Sequence, residues 1–173
     1  EKVYGDYGMS SSRLGHEPTG YIIDVGKSVK GFSVGDRVFV HHHVCCYACH
    51  YCWHGDFTMC NMYQRSCIEP CGLSEQILVP GLNILRGGLV KLPGNVTFDE
   101  ASLIEPLACC IRGMAKCKFQ KGDDIAILGA GPAGLMHVIL AKLIGAGKIM
   151  VLDINQFRLD FAKRHFDVDT YNI

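Results

Sequence analysis

The chain lacks a charge bias. Lys plus Arg and Asp plus Glu stand at 17 each in 173 residues, so neither a basic stripe for nucleic acid nor an acidic solvating tail is expected. It lacks any apolar run approaching the length of a membrane span, so no membrane partner is expected. It lacks a start Met, and its first residues, EKVYGDYG, lack the apolar stretch of a secretory leader. There is no internal repeat and no low-complexity segment. No cysteine precedes Cys45, although the chain holds ten. Ten cysteines without a secretory leader fit a reducing, cytoplasmic compartment, where thiols serve metals or chemistry rather than bridges.

What is present divides midway. Hydrophobic residues make up 49% of the chain, enough for a sizeable core. Residues 1 to about 93 are rich in Gly, Cys, His and short apolar runs such as YIIDV, DRVFV and EQILVP, which read as strands joined by turns. KLPGNV marks a junction. From about residue 94 the pattern is helix, strand, helix, strand, helix, which predicts an α/β unit.

The densest signal is CCYACHYCWHGDFTMC, residues 45–60. Cys46, Cys49, Cys52 and Cys60 have the spacing C-x2-C-x2-C-x7-C. Two intervening residues allow a tight turn, and the longer span lets the chain return to close a tetrahedral zinc site with four thiolates. Four protein ligands leave no open position, so this zinc would be structural. A redox pair explains the register less well, because a third cysteine in step is not expected there. Cys45 is out of step and reads as a packing residue, as do Cys67, Cys71, Cys109, Cys110 and Cys117. A zinc module for nucleic acid is the rival, weakened by the neutral charge. His41, His42 and His43 follow the DRVFV strand. Alternation would put His41 and His43 on one face and His42 on the other, as a polar strand end rather than ligands.

Residues 125–153 carry the nucleotide signal. IAILGAGPAG is an apolar strand entering Gly129, Gly131 and Gly134 in a G-x-G-x-x-G pattern. A helix with Leu135, Val138, Ile139 and Leu143 on one face follows, then KIMVLD ends in Asp153, nineteen residues after Gly134. That is a full dinucleotide fingerprint. Gly129 allows the turn, Gly131 lets the backbone approach a pyrophosphate, and Gly134 lets helix and strand pack closely. Asp153 can accept from ribose hydroxyls and would repel a 2′-phosphate, so NAD is favoured over NADP. Arg158 tempers that preference, because an Arg nearby could accommodate the phosphate.

Two further stretches bear on chemistry. His16 beside Glu17 offers a nitrogen and a carboxylate to a metal. Alone, such a pair is more often a surface or satisfied core pair. In TFDEASLIEPLACC, Thr97 and Glu100 form a capping box that starts a helix. Pro106 should kink or restart that helix and push Glu105 out of its regular face. Otherwise Glu105 reads as an acid favoured by a helix dipole.

Three features in this order resemble the zinc-dependent medium-chain alcohol dehydrogenases. That family's zinc signature, G-H-E-x2-G-x5-G-x2-V, is filled by Gly15, His16, Glu17, Gly20, Gly26 and Val29. A GDRV turn follows at Gly35–Val38, then the four-cysteine lobe. The resemblance implies a GroES-like barrel portion over residues 1–93 and a partial Rossmann domain, a doubly wound parallel sheet, over 94–173. It makes His16, Glu17 and Glu105 the catalytic zinc site, with Glu17 and Glu105 either ligands or neighbours of the zinc-bound water. The EPL phrase at Glu105 resembles the sorbitol, threonine and glucose dehydrogenase-like branches, which implies a polyol, sugar or amino-alcohol substrate and hydride transfer to NAD. Pro132 and Ala133 match positions that line the cofactor, and an Arg in the place of Arg158 accompanies NAD in the sorbitol branch. A homodimer or homotetramer is implied. The family also has a cysteine ligand and a Ser or Thr proton relay upstream of G-H-E. Since no cysteine precedes Cys45, the chain is expected to begin after that ligand and to end near the third strand of the nucleotide fold. The alternative is a non-catalytic zinc- and nucleotide-binding fragment.

Overall fold

The computed structural model describes residues 14–173, so the first thirteen residues of the expected barrel portion lie outside the described ones. The chain divides into two compact units, one running to Ile104 and the other spanning Glu105–Ile173.

In the first unit, β1 (Thr19–Tyr21), β2 (Arg37–Val40) and β3 (Leu89–Lys91) form an antiparallel sheet in the order β1-β2-β3. Gly20 faces Val38, and Phe39 faces Val90. The strand β2 forms because Val-Phe-Val suits a pleated surface covered on both faces. Val38 and Val40 point to one side and pack with Ile68, Ile22, Phe32 and Leu89, while Phe39 is buried on the other. Asp36 anchors the turn before β2. It accepts from the Ser33 N–H at 2.8 Å and from Lys91 Nζ at 2.7 Å, and Lys91 chiefly holds its carboxyl below the usual range. Arg37 lies 4.8 Å from the Phe98 ring centre and donates to the Val96 carbonyl.

Two expected strands are shorter than the sequence suggested. YIIDV continues β1 only to Tyr21, after which Ile22 bonds Asp36 and Gly35 across a turn. EQILVP contributes an isolated Glu69–Leu78 bridge, and Pro80 brings no N–H to extend it. The short helices α1 (His50–Trp53), α2 (Asn61–Arg65) and α3 (Gly81–Leu85) follow β2 in the chain.

The first unit closes with α4 (Phe98–Ser102). Its capping box is formed: the Glu100 N–H donates to Thr97 Oγ1 at 3.2 Å, and the Thr97 N–H donates to Glu100 Oε2 at 2.8 Å. The helix stops at Leu103, and α5 (Ile104–Lys116) begins with Pro106 in its first turn. A proline is tolerated there, because it has no N–H to offer the Ser102 carbonyl of a continuous helix.

In the second unit, β4 (Ile125–Leu128), β5 (Ile149–Asp153) and β6 (Asp169–Asn172) are parallel and lie in chain order, joined by α6 (Pro132–Ile144) and α7 (Gln156–Phe166). The core is Ile127, Ala130, Val138, Val151, Leu159, Ala162 and Val168. The expected apolar face of α6 is corrected: Met136, Val138 and Ala141 are buried, whereas Ile139 and Leu143 are exposed. Val138 and Ala141 are small enough to let the helix approach the sheet, and Ile139 and Leu143 fall on the outer face. On α5, Cys110 and Met114 are buried one turn apart, but Cys109 and Cys117 are exposed, contrary to the reading of both as packers.

Candidate metal and nucleotide sites

The four-cysteine cluster assembles on short elements with little regular structure of their own. Cys49 precedes α1, Cys52 lies within it, and Cys60 precedes α2. The sulfurs of Cys46, Cys49, Cys52 and Cys60 lie within 4.8 Å of one another. Individual separations are 3.9 Å for Cys46–Cys52, 3.6 Å for Cys49–Cys52 and 3.6 Å for Cys46–Cys60. A tetrahedron with zinc–sulfur distances of ~2.3 Å has edges of ~3.8 Å, so the donor set fits zinc in both chemistry and size. None of the ten cysteines forms a disulfide. The Cys46 N–H, followed by that of Tyr63, brings the Cys60 thiol down to about 6, while burial and the Cys49 thiol push Cys52 up to about 12. Without metal, negative charge therefore concentrates on Cys60. Metal ligation needs the remaining thiols deprotonated and would release protons. Cys45 is buried beside the cluster.

His16 and Glu17 lie at the end of the segment that enters β1. His16 Nε2 is 3.9 Å from Glu17 Oε1, and both side chains are about half exposed. Gly15 precedes them with φ +81°, and a Cβ there would fall 2.7 Å from the Leu73 nitrogen. The close approach is cemented by Gly72 N–H to Gly15 O at 2.8 Å and Leu73 N–H to Leu14 O at 3.0 Å. Glycine in the G-H-E motif is thus demanded by a strand-like contact with residues 72–73.

The histidine triplet departs from the expected strand alternation. The strand ends at Val40, and His42 turns its ring to His16, with centroids 4.9 Å apart at 63°. His42 also lies 4.1 Å from His43, whose ring stands 4.9 Å from Tyr63. Burial, with nearby histidines adding to it, takes His42 down to about 3, so its ring is neutral at physiological pH. Among the described residues its buried Nδ1 has no hydrogen-bond partner. Three consecutive histidines were a signal in the sequence, but their contact with His16 was not.

Glu105 stands in the first turn of α5, where the Cys109 thiol donates to its carboxylate at 3.4 Å.

The nucleotide fingerprint converges on one end of the parallel sheet. Gly129 adopts φ +101°, and a Cβ on Gly134 would fall 1.8 Å from the Gly129 carbonyl oxygen, so the strand-to-helix turn tolerates only glycine there. Gly131 precedes α6, Pro132 is its first residue, and no side chain caps it. The first-turn N–H groups of Ala133 and Gly134 therefore have no acceptor within the helix, an arrangement that suits an anion. A Cβ on Gly131 would meet nothing closer than Arg158 at 3.9 Å, which leaves its approach open. A cleft of about 210 Å³ borders the turn, lined by Gly131, Pro132, Leu135, Phe157, Arg158 and Phe161 among others. Asp153, 7% exposed, accepts from the Ala130 N–H at 2.7 Å and from the Asn155 N–H at 2.8 Å. Those two bonds hold its carboxyl below the usual range, and Arg158 adds to them. Asp153 is thus a staple for the glycine turn. The donors, open turn and cleft fit a dinucleotide.

A sequence profile of the alcohol dehydrogenase GroES-like domain matches residues 3–93, more than half of the chain. The chain belongs to the zinc-dependent alcohol dehydrogenase family. Within this family it is 40% identical over 151 residues to a sorbitol dehydrogenase of Bacillus subtilis, covering 87% of this chain and 42% of that protein. It is 32% identical to an L-threonine 3-dehydrogenase of Shigella dysenteriae, covering 87% and 43%. The solved alcohol dehydrogenase TADH of Thermus sp. ATN1 superposes with a TM-score of 0.79 at 28% identity, covering 99% of this chain and 51% of that one. The chain therefore spans about half the length of the zinc-dependent alcohol dehydrogenases it matches. Among the described residues no helix is long and apolar enough to cross a membrane.

Proposed function

We propose that the chain belongs to a zinc-dependent oxidoreductase that transfers hydride between a secondary alcohol and NAD. The observation that carries this reading is the pairing, in one chain, of a family barrel unit bearing His16 and Glu17 with a βαβ turn shaped for a pyrophosphate. The sorbitol and threonine dehydrogenase relatives support a polyol, sugar or amino alcohol as substrate.

In this reading Cys46, Cys49, Cys52 and Cys60 hold a structural zinc. His16 and Glu17 would be ligands of a catalytic zinc, which would supply Lewis acidity toward an alcohol oxygen, and the family resemblance adds Glu105 as a candidate. His16 offers a ring nitrogen, and Glu17 and Glu105 offer carboxylate oxygens. The open first turn of α6 receives the pyrophosphate through the N–H groups of Ala133 and Gly134. Asp153 accepts from the adenosine ribose hydroxyls with the lone pairs its two backbone bonds leave over. Its ionised carboxylate disfavours a 2′-phosphate, which supports NAD over NADP. Arg158 and Phe157 border the adenosine side. The family resemblance supports a homodimer or homotetramer, acting on small molecules in the cytoplasm. Zinc and nucleotide binding without turnover is the second reading, which the four-thiolate cluster and the glycine turn support by themselves.

The test is zinc content and NAD-linked oxidation of sorbitol, xylitol and L-threonine by the purified complete protein. About two zincs per chain are expected, with turnover on at least one substrate and loss of both turnover and one zinc in His16→Ala. Normal turnover and zinc content in His16→Ala would overturn the reading. One zinc, lost only when Cys46 or Cys60 is replaced, would establish the second reading instead.

A further inference from the structure

We propose that His42 is a positioning residue that sets the ring of His16 for metal binding, an inference that rests on the zinc role of His16. The backbone around His42 is fixed first. Asn83, 1% exposed, donates Nδ2 to the His42 carbonyl at 3.1 Å. Two residues on, the Val44 N–H donates to Ser66 Oγ at 2.8 Å, and that hydroxyl donates back to the Val44 carbonyl at 3.1 Å. The His43 ring bonds the Ser66 carbonyl. The His42 ring is then held at the edge of the His16 ring, 4.9 Å between centroids and inclined at 63°. One side chain thus walls the ring of His16.

His16 has need of such a wall. Its side chain is 55% exposed, with Glu17 3.9 Å away. A half-exposed imidazole samples several rotamers, and ordering it at the moment of binding weakens a metal site. The wall at His42 removes part of that freedom in advance. Groups that orient a ligand histidine in this way alter metal affinity by ~10–100-fold. Leu in place of His42 fills the space without a flat ring edge, whereas Ala leaves it empty.

The test uses the complete protein and zinc itself. Zinc affinity of the second site is measured by competition with a chromophoric chelator, and the χ1 rotamers of His16 are read by three-bond couplings in NMR of the zinc-free protein. The four-thiolate zinc serves as an internal report on folding. In His42→Ala the second zinc is expected to weaken by ~10–100-fold, the thiolate zinc to remain, and His16 to change from one χ1 rotamer to a mixture. Unchanged second-site affinity with an unchanged His16 ring would overturn the proposal while leaving the zinc role of His16 intact. If His42→Ala loses both zincs, His42→Leu decides: a weakened second site beside a retained thiolate zinc supports positioning, and wild-type affinity overturns it. A wild-type protein that takes up only one zinc overturns the zinc role of His16, and the positioning role with it.

Discussion

Around Cys60 the buried residues are Cys45, Cys52 and Cys60, with Phe57, Met62 and Tyr63 against them. Around Val151 they are Ile127, Ala130, Val138, Leu159, Ala162 and Val168, all hydrocarbon. The first interior belongs to a lobe of one-turn helices, each too short to be stable by its own hydrogen bonds. The second lies beneath a parallel sheet with helices of thirteen and eleven residues. Sulfur in the first takes the place that branched aliphatic side chains hold in the second. In the zinc reading a lobe so built would depend on a metal to neutralise and bridge its thiolates, whereas the βαβ unit depends on apolar area removed from water.

The sharpest way to break this comparison is to remove the metal. Cys46→Ser, or a strong chelator on the wild type, is expected to empty the lobe of zinc, an effect exceeding the ~100-fold typical of losing a group that merely orients a ligand. Hydrogen exchange should then accelerate across residues 45–60 while the amides of β4 and β5 stay protected. Equal loss of protection in both regions would show that the two interiors are not independently held. Next in size is the converse change. Leu159 is 1% exposed in the second core, and Leu159→Ala is expected to cost about 2–5 kcal/mol in urea unfolding of that unit. Zinc content of the lobe should not alter; a parallel fall in zinc would count against the division.

Thr97→Ala tests a feature belonging to neither interior. Loss of the capping box should cost about 1 kcal/mol and fray the start of α4, read as faster exchange at the Glu100 amide. No change in that amide would mean the box is ornamental. The smallest effect is one of pH. The Ala130 N–H, and after it the Asn155 N–H, hold Asp153 below its ordinary value of 3.8. A carboxylate depressed on folding stabilises fully above its unfolded value and loses that contribution as pH falls through the folded value. The stability difference between wild type and Asp153→Asn should therefore be constant near neutrality and shrink as pH falls below 3.8. Urea midpoints measured across that range check this, and a difference that grows in acid has the wrong sign.

Much of the architecture was legible because its signals are short in sequence. The cysteine spacing, the glycine turn and the Thr97–Glu100 box each span a few residues, and the physics that gives them meaning acts over the same distance. The break at Leu103 followed from the missing N–H of Pro106. Other elements were misread where local pattern met a tertiary choice. Leu135, Val138, Ile139 and Leu143 satisfy helical spacing, yet the sheet selected Val138 and Ala141 for contact and left Ile139 and Leu143 outside. Cys109 and Cys117 looked like packers by composition, but the face of α5 that is buried runs through Cys110 and Met114. YIIDV had the composition of a long strand and stopped at Tyr21, because the following residues bond back across a turn.

The sequence by itself determined the donor atoms and their local spacing: four thiols, a His-Glu pair behind a glycine, and a phosphate turn followed at the right interval by Asp153. Those properties are covalent or nearly so, and they survive in any fold that keeps the turns. Tertiary structure alone decided which distant groups stand behind them. Asn83 reaches the backbone of His42 across 41 residues, and Ser66 reaches Val44 across 22. Closing such loops costs entropy that only the packed unit repays, and no local pattern records which partner will be waiting when the chain closes.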